Sequence, residues 1–309
     1  MMRAALLYLS QQKQINTFVR TNRMAQKSAL RFVAGETLET AAAAVKELNA
    51  KGIKATLDLL GESVATPEDA RAATDAILRI FPRIAADQLD ANVSVKLTQL
   101  GLDLSPEIVR ANVTRLLDQA RQSGIFMRID MESSAHTQRT LELFEEVFPT
   151  YGRDVVGIVL QSYLHRSMRD AERAIELGAR VRLCKGAYNE PASVAYQDKK
   201  DVYANFVQMM EALLEKGFYP GIATHDRGLI ARAREFTEQK KIGRDRFEFQ
   251  FLYGVGRDIQ EQLAQEGFRV RSYVPFGTHW YPYFMRRLAE RPANVWFILR
   301  SVLTEGRRR

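Results

Sequence analysis

Hydrophobic and polar positions follow one repeated order along the chain. Short runs rich in Val, Ile, Leu and Phe end in polar residues and alternate with longer stretches whose apolar positions have helical spacing. Eight such runs predict strands: "IKATLDLLGE" (53–62), "NVSVKLTQL" (92–100), "IFMRIDMES" (125–133), "GIVLQSYL" (157–164), "RVRLCKGAY" (180–188), "GIATHD" (221–226), "RFEFQFLYGV" (246–255) and "RVRSYVPFG" (269–277).

The spacing of the runs, roughly 25 to 40 residues, matches the β-loop-α-loop units of an α/β (β/α)8 barrel. The stretches between them read as amphipathic helices, one beginning at Ser105 and Pro106 and ending at Gly124. We predict a helical arm over residues 1–45 and a barrel over 46–309. A doubly wound open sheet stays open as an alternative, because strand order cannot be read from one sequence.

The composition restricts the class of protein. The chain has 309 residues, no apolar run near the roughly 20 residues needed to cross a bilayer, and no recognisable signal peptide. The single cysteine, Cys184, fits a reducing compartment, so we expect a cytoplasmic protein without a disulfide. The four histidines lack the H-x-x-H and H-E-x-x-H spacings of zinc sites, so we expect no metal.

Lys plus Arg (45) exceed Asp plus Glu (37), and the pI is about 9.6. The excess favours an anionic partner. The basic residues are scattered and mixed with acids, with one run at the C-terminus, "GRRR". We therefore expect no nucleic acid partner.

The carboxyl ends of the strands carry the candidate chemistry, because these ends form the active-site face of a barrel. They present Lys96, Asp130, Met131, Gln161, Arg182, Lys185, Tyr188, Thr224, His225, Gln250 and Tyr273. Each residue taken alone is equally explained by a strand that becomes polar where it meets water. Taken together, they place several cations around Asp130, which suits an ion-pairing or orienting carboxylate.

Local patterns add weaker signals. Alternation in this strand predicts that Lys96 points into the barrel, away from Val93 and Val95. A buried lysine requires a partner, so a Lys96–Asp130 ion pair that only stabilises the core stays open as an alternative. "KGAY" (185–188) and "ATHD" (223–226) could together approach a pyrophosphate. "GVGRDI" (254–259) lacks the third glycine of a dinucleotide fingerprint, and we interpret its glycines as turn residues.

One helical segment near the C-terminus has a polar stripe. Tyr283, Arg286, Arg287 and Glu290 stand at offsets 0, 3, 4 and 7, which aligns them on one helix face. The two guanidiniums stay charged. The stripe therefore faces either bulk water or an anion.

These segments resemble one family. "VSVKLTQLGLDLS", "RIDMESS", "RVRLCKGAYNEP", "ATHD" and "YVPFGTHWYPYFMRRLAERPANV" are similar to segments of the bacterial monofunctional proline dehydrogenases, and of the matching domain of bifunctional proline utilisation flavoproteins. The resemblance covers the chain from about residue 30 onward. It implies a distorted barrel with the final helix over its mouth. It also implies non-covalent FAD and the oxidation of L-proline to Δ1-pyrroline-5-carboxylate by hydride transfer to flavin N5, with a membrane quinone as acceptor.

The resemblance also implies residue roles, peripheral membrane contact and a possible oligomer. The catalytic residues would be Asp130 and Arg182. The substrate residues would be Lys96, Tyr188, Leu252, Tyr273, Tyr283, Arg286, Arg287 and Glu290. The cofactor residues would be Met131, Gln161, Arg182, Lys185, Gly186, Ala187, Thr224 and His225.

Two other functions stay open at this point. A flavin-free barrel enzyme could use Lys96 as a Schiff-base amine. A basic binding protein for nucleic acid or an anionic membrane would instead show salt-dependent affinity without turnover.

Overall fold

A computed structural model describes residues 30–61 and 63–290. Eight parallel strands close into a barrel in chain order, and β8 pairs with β1. The strands are β1 Lys54–Leu59, β2 Ala91–Val95, β3 Met127–Ile129, β4 Val156–Gln161, β5 Arg180–Cys184, β6 Gly221–Ala223, β7 Glu248–Leu252 and β8 Val270–Phe276. All eight predicted strands and the α/β barrel are confirmed, and the closed order excludes the open sheet.

Ten α-helices are described: α1 Leu38–Asn49, α2 Pro67–Leu78, α3 Ile80–Ala86, α4 Pro106–Ser123, α5 Ser134–Tyr151, α6 Ser167–Glu176, α7 Lys199–Lys216, α8 Arg227–Gln239, α9 Arg257–Gln265 and α10 Trp280–Glu290. The predicted signals for α4 are confirmed. The Ser105 side chain accepts from Ile108 N at 3.2 Å, Pro106 opens the helix, and Gly124 ends it with a left-handed φ of 65°.

The first and last described helices depart from a regular barrel. Helix α1 packs against β1 and β8, where the helix after β8 would stand in a regular barrel. Helix α10 instead buries apolar side chains against Leu60, which follows β1, with Val255 from the loop after β7 packed alongside. Helix α10 therefore lies at the carboxyl end of the barrel. Residues 1–29 of the predicted arm lie outside the described residues; the boundary predicted after residue 45 falls within α1 and stays a prediction.

The segment before α1 holds α10 in place. Phe32 and Val33 belong to its apolar cluster, Ala34 N donates to Pro275 O at 2.9 Å, and Trp280 Nε1 donates to Glu36 Oε1 at 2.8 Å. Gly254 permits this path, since a Cβ there would lie 1.5 Å from Arg31 O. Its φ of 74° and the 60° of Gly256 confirm both as turn glycines.

The apolar core lies between the strands and the helices, and Val93 and Val95 belong to it. The barrel interior, in contrast, is polar and charged. Two strand glycines make room there: a Cβ at Gly157 would lie 3.3 Å from Arg128 NH1, and one at Gly221 would lie 2.3 Å from Gln250 Nε2. The interior can therefore hold long polar side chains in place of branched apolar ones.

Candidate active site

Lys96 directly follows β2 and, as predicted, turns into the barrel with Ser94. Its Nζ lies 2.7 and 2.9 Å from the two carboxylate oxygens of Asp58, 3.3 Å from Tyr273 OH and 3.9 Å from Asp130 Oδ2. Burial lowers the pKa of Lys96, but the Asp58 and Asp130 carboxylates outweigh burial and raise this pKa to about 12. Lys96 is therefore a charged ammonium at neutral pH.

Asp130, at the end of β3, is the centre of the network. Its Oδ1 accepts from Ser94 Oγ at 2.7 Å and pairs with Arg182 NH1 at 2.7 Å. Its Oδ2 accepts from Tyr273 OH at 2.8 Å. The predicted Lys96–Asp130 contact is present, but Asp58 is the closer partner of Lys96.

Tyr273 of β8 lies between the two carboxylates. Burial, followed by the charges of Asp130 and Asp58, raises the pKa of Tyr273 well above its ordinary value. The phenol is consequently a neutral donor over the whole physiological range. Its ring also lies under the Arg182 guanidinium, whose Cζ is 5.2 Å from the ring centroid.

Arg182 of β5 crosses the barrel. Besides Asp130, it reaches Gln250 Oε1 through Nε at 2.5 Å and Thr56 Oγ1 through NH2 at 3.5 Å. The side chain is 8% exposed. Thr56 of β1 and Gln250 of β7 thus hold the guanidinium beside Asp130, which follows β3.

The predicted cofactor residues line the neighbouring strand ends. Gln161, at the end of β4, is 3% exposed; its Nε2 lies 3.4 Å from Met131 O, and its Oε1 has no partner among the described residues. A buried carbonyl oxygen without a donor is costly. A ring N–H would satisfy it, so the site fits a ligand with an amide-like ring edge.

The loop after β5 carries Lys185, Gly186, Ala187 and Tyr188. Lys185 Nζ pairs with Asp226 Oδ2 at 2.9 Å, and Gly186 has a φ of 106°. A Cβ at Gly186 would lie 2.3 Å from the ring of Tyr163. The loop backbone therefore lies directly on that ring.

The loop after β6 contributes Thr224 and His225. Thr224 Oγ1 accepts from Asp226 N at 3.1 Å, and His225 Nε2 accepts from Leu252 N at 3.1 Å. His225 also meets Phe251 edge-on, with ring centroids 5.5 Å apart. Both side chains thus order the loops beside Asp226, the partner of Lys185.

Helix α10 supplies part of the predicted substrate set. Tyr283 is buried in the α10 cluster, and the Arg287 guanidinium lies 5.3 Å from the centroid of its ring. Arg286 and Glu290 lie in the helix, but their side chains are outside the described part. Leu252 and Tyr273 are register partners on β7 and β8, whereas Tyr188 is 39% exposed.

Three members of the network were missed at the sequence level. Asp58, Thr56 and Ser94 lie within β1 and β2 and were not among the predicted strand-end residues. The missed signal was period-two alternation in "KATLDL", which points Thr56 and Asp58 to the same side as Lys54. An aspartate 1% exposed on that side requires a cation.

The described residues contain no group of three or more His, Cys, Asp or Glu side chains that could hold a metal ion. Burial raises the pKa of the Cys184 thiol to about 11, which makes it a poor nucleophile. No helix in the described ranges is both long and apolar enough to cross a membrane.

Comparisons with known proteins agree on one family. The family model described as proline dehydrogenase matches residues 41–300. Proline dehydrogenase 1 of Bacillus subtilis (strain 168) is 39% identical over 303 residues, which is 98% of this chain and 99% of that protein. Proline dehydrogenase of Deinococcus radiodurans is 39% identical over 304 residues, covering 97% of both chains.

A solved structure gives the same result for the fold. Proline utilization A (PutA) from Bdellovibrio bacteriovorus, inactivated by N-propargylglycine, superposes with a TM-score of 0.80 at 26% identity. The match covers 85% of this chain and 32% of the PutA chain. This chain therefore resembles about a third of that longer protein.

Proposed function

The chain belongs to the proline dehydrogenase family, and from this premise we propose that it oxidises L-proline to Δ1-pyrroline-5-carboxylate with FAD as its cofactor. The observation that carries the proposal is the buried network of Lys96, Asp130, Arg182 and Tyr273 at the carboxyl ends of the strands. Such a network holds fixed charges where a barrel enzyme binds its substrate.

The chemistry of proline fits the charged groups at this end of the barrel. The substrate carboxylate needs cationic donors, and Lys96 remains protonated there because the pKa of its ammonium is raised to about 12. We assign Lys96, Arg286 and Arg287 to the carboxylate and pair Glu290 with the arginines. Arginine forks give bidentate geometry that lysine cannot reproduce. Tyr188, Leu252, Tyr273 and Tyr283 would enclose the ring.

The proline amine must be neutral to release the hydrogen on the adjacent carbon. Its free pKa is roughly 10, by analogy with lysine. Lys96 and Tyr273 both keep their own protons at neutral pH, because the pKa of each is raised. Neither can act as the base. The cations of the site favour the neutral amine, so we propose that proline loses its proton as it binds and expect kcat/KM for proline to rise with pH.

The residues along β4, β5 and β6 fit FAD. When bound, FAD would accept a hydride, that is two electrons and one proton, from the carbon beside the proline nitrogen. Gln161, with its unsatisfied buried oxygen, would hold a ring N–H, and Met131 would border the ring. Lys185, Gly186, Ala187, Thr224 and His225 would hold the phosphates and the remainder of the cofactor. Arg182 would stabilise negative charge on the reduced ring.

We further propose that electrons leave for a membrane quinone, as the family resemblance implies. This step requires reversible contact with a membrane surface, which the net charge of +8 favours for anionic lipids.

The test is proline-dependent reduction of a dye by the FAD-loaded protein. We expect turnover with L-proline, and a rise of at least tenfold in the KM for proline with Arg287→Lys, since one bidentate donor pair is worth about 1.5–3 kcal/mol. Arg257→Lys is the control, because Arg257 lies at the start of α9 and meets the Tyr253 ring at 5.8 Å. A protein that binds no flavin and leaves the dye oxidised would refute the proposal.

The Schiff-base alternative is disfavoured by the electrostatics of Lys96. A nucleophilic lysine requires a pKa lowered toward neutrality, whereas the pKa of Lys96 is raised to about 12.

A further inference from the structure

Below the Asp130 layer, the barrel contains a second charged layer that the proposed reaction does not use. Glu248 of β7 is 2% exposed and accepts from Arg271 Nε at 2.6 Å and Arg271 NH2 at 3.1 Å. Tyr219 OH lies 3.1 Å from the other side of the same carboxylate, at Oε2. Burial raises the pKa of Glu248, but Arg271 and its hydrogen bonds lower it to about 2, so the carboxylate stays charged.

Gln250 connects this layer to the site above. Its Nε2 donates to Glu248 Oε1 at 2.5 Å, and its Oε1 accepts from Arg182 Nε at 2.5 Å. Gln250 is 4% exposed, and Gly221 on the adjacent strand leaves space for its amide. The path from Glu248 to Arg182 therefore consists of two short hydrogen bonds through one side chain.

The orientation of the Gln250 amide follows from the charge of Glu248. An ionised carboxylate only accepts, so the amide NH2 must face Glu248 and the carbonyl oxygen must face Arg182. In the reverse orientation, the Gln250 carbonyl oxygen would face the Glu248 carboxylate, and the Gln250 NH2 group would face Arg182 Nε–H. Glu248 thus selects the orientation in which Gln250 accepts from Arg182.

We propose that Glu248 and Gln250 are positioning residues that aim the Arg182 guanidinium at the reacting part of the site. Asp130 holds one end of that guanidinium through NH1, and Gln250 holds the other through Nε. With both ends held, the guanidinium plane has one orientation above the Tyr273 ring. This inference rests on the proposed function, in which Arg182 stabilises the reduced cofactor.

Two variants interrupt the path at different points. Gln250→Met removes the acceptor for Arg182 and keeps the Glu248–Arg271 pair. Glu248→Gln replaces one of the two acceptor oxygens by a donor, while Arg271 Nε, Arg271 NH2 and Tyr219 OH still need acceptors there. The charge that fixes the orientation of the Gln250 amide is thereby lost. The matched control is Tyr219→Phe, which removes a hydrogen bond to Glu248 on the side away from Gln250.

We expect each single variant of the path to lower kcat by about 10- to 100-fold, below the cost of deleting a stabilising group itself. The KM for proline should change less than about threefold, and the midpoint potential of bound flavin should become more negative. Because both changes act through one amide, the double variant should lose no more than the larger single loss. Tyr219→Phe should retain wild-type kcat.

A second readout needs neither flavin nor turnover. The Arg182 Nε–H cross peak in a 15N NMR spectrum, assigned with Arg182→Met, should shift in Gln250→Met and in Glu248→Gln but not in Tyr219→Phe. If wild-type protein does not oxidise proline, the proposed function fails while this comparison still tests the positioning. An unchanged cross peak, or additive losses of kcat in the double variant, would overturn the inference. If Glu248→Gln does not fold, the kcat of Gln250→Met and the Arg182 Nε–H cross peak of that variant decide the test.

Discussion

Replacing Asp58 with Asn removes the closest counter-charge of Lys96. The ammonium lies 2.7 Å from an aspartate that is 1% exposed, and its next carboxylate, Asp130, is 3.9 Å away. In wild-type protein the carboxylates more than offset the burial of Lys96. In the variant, burial dominates and the pKa of Lys96 falls below its raised value of about 12.

The expected cost follows from two magnitudes. A rise in the Lys96 pKa from 10.5 to about 12 corresponds to about 2 kcal/mol of stability at pH 7. Removing one partner of a buried pair costs about 3–5 kcal/mol because the other charge stays behind. Asp130 retains part of the attraction, so we expect a loss of about 3 kcal/mol in the free energy of unfolding. The melting temperature should fall by about 6 °C for a chain of this size.

The sign of the pH dependence gives a further check. The pKa of Lys96 is higher in the folded protein, so its stabilisation is complete below pH 10.5 and is lost as pH rises toward 12. Asp58→Asn should therefore weaken the wild-type decline in stability over that alkaline range.

Urea unfolding at pH 7 measures the loss, with Asp90→Asn as the matched control. Asp90 also pairs with a lysine of β1, Lys54, at 2.5 Å, but its side chain is 53% exposed. Such a surface pair contributes about 0–1 kcal/mol. Equal stability of the two variants, or an Asp58→Asn protein as stable as wild type, would refute the reasoning.

Three further predictions follow from other features. The pKa of Glu248 is about 2 in the folded protein, so this group contributes about 3 kcal/mol of stability above pH 4.5, which should be lost as pH falls toward 2. In acid unfolding experiments, Glu248→Gln should therefore show a smaller decline of stability between pH 4.5 and 2 than wild type. Gly254→Ala places a Cβ 1.5 Å from Arg31 O at positive φ and should lower the melting temperature by at least about 4 °C in calorimetry. Gly186→Ala forces the loop off the Tyr163 ring and should weaken FAD binding at least about tenfold by titration.

Each prediction has a result that contradicts it. Identical acid limbs in wild type and Glu248→Gln would show that the depressed pKa does not govern acid stability. Gly52→Ala is the control for Gly254, because Gly52 also has positive φ but nothing within 4 Å; equal losses would remove the steric argument. Normal flavin affinity in Gly186→Ala would separate the loop from the cofactor site.

The strands could be predicted because each one is an apolar run whose period and ending are local properties of the sequence. Lys96 could be placed inside the barrel by the alternation of Val93, Ser94, Val95 and Lys96, and its predicted neighbour Asp130 is within 3.9 Å. Its main partner, Asp58, could not be placed, because their contact depends on the stagger between β1 and β2. Sequence spacing does not report that stagger.

The position of α10 illustrates a second limit. Its polar stripe was visible in the sequence, but whether a helix lies beside or across a barrel depends on which segment fills the place next to β8. That place is taken by α1, more than 220 residues earlier in the chain. The Glu248–Gln250–Arg182 path was likewise hidden: Arg182 and Gln250 were predicted strand-end residues, but their contact joins two strands that are not neighbours, and Glu248 lies at the opposite end of β7.

Because α1 completes the wall between β8 and β1, the barrel does not need α10 to close. All residues of that wall, from α1 to Phe276, precede α10 in the chain. Insertions or substitutions in α10 can therefore alter which molecule is admitted without opening the ring of strands. The α1 wall and helix α10 at the carboxyl end of the barrel can vary separately during evolution. Residues 31–36 contact both the barrel and α10 and so connect the two parts.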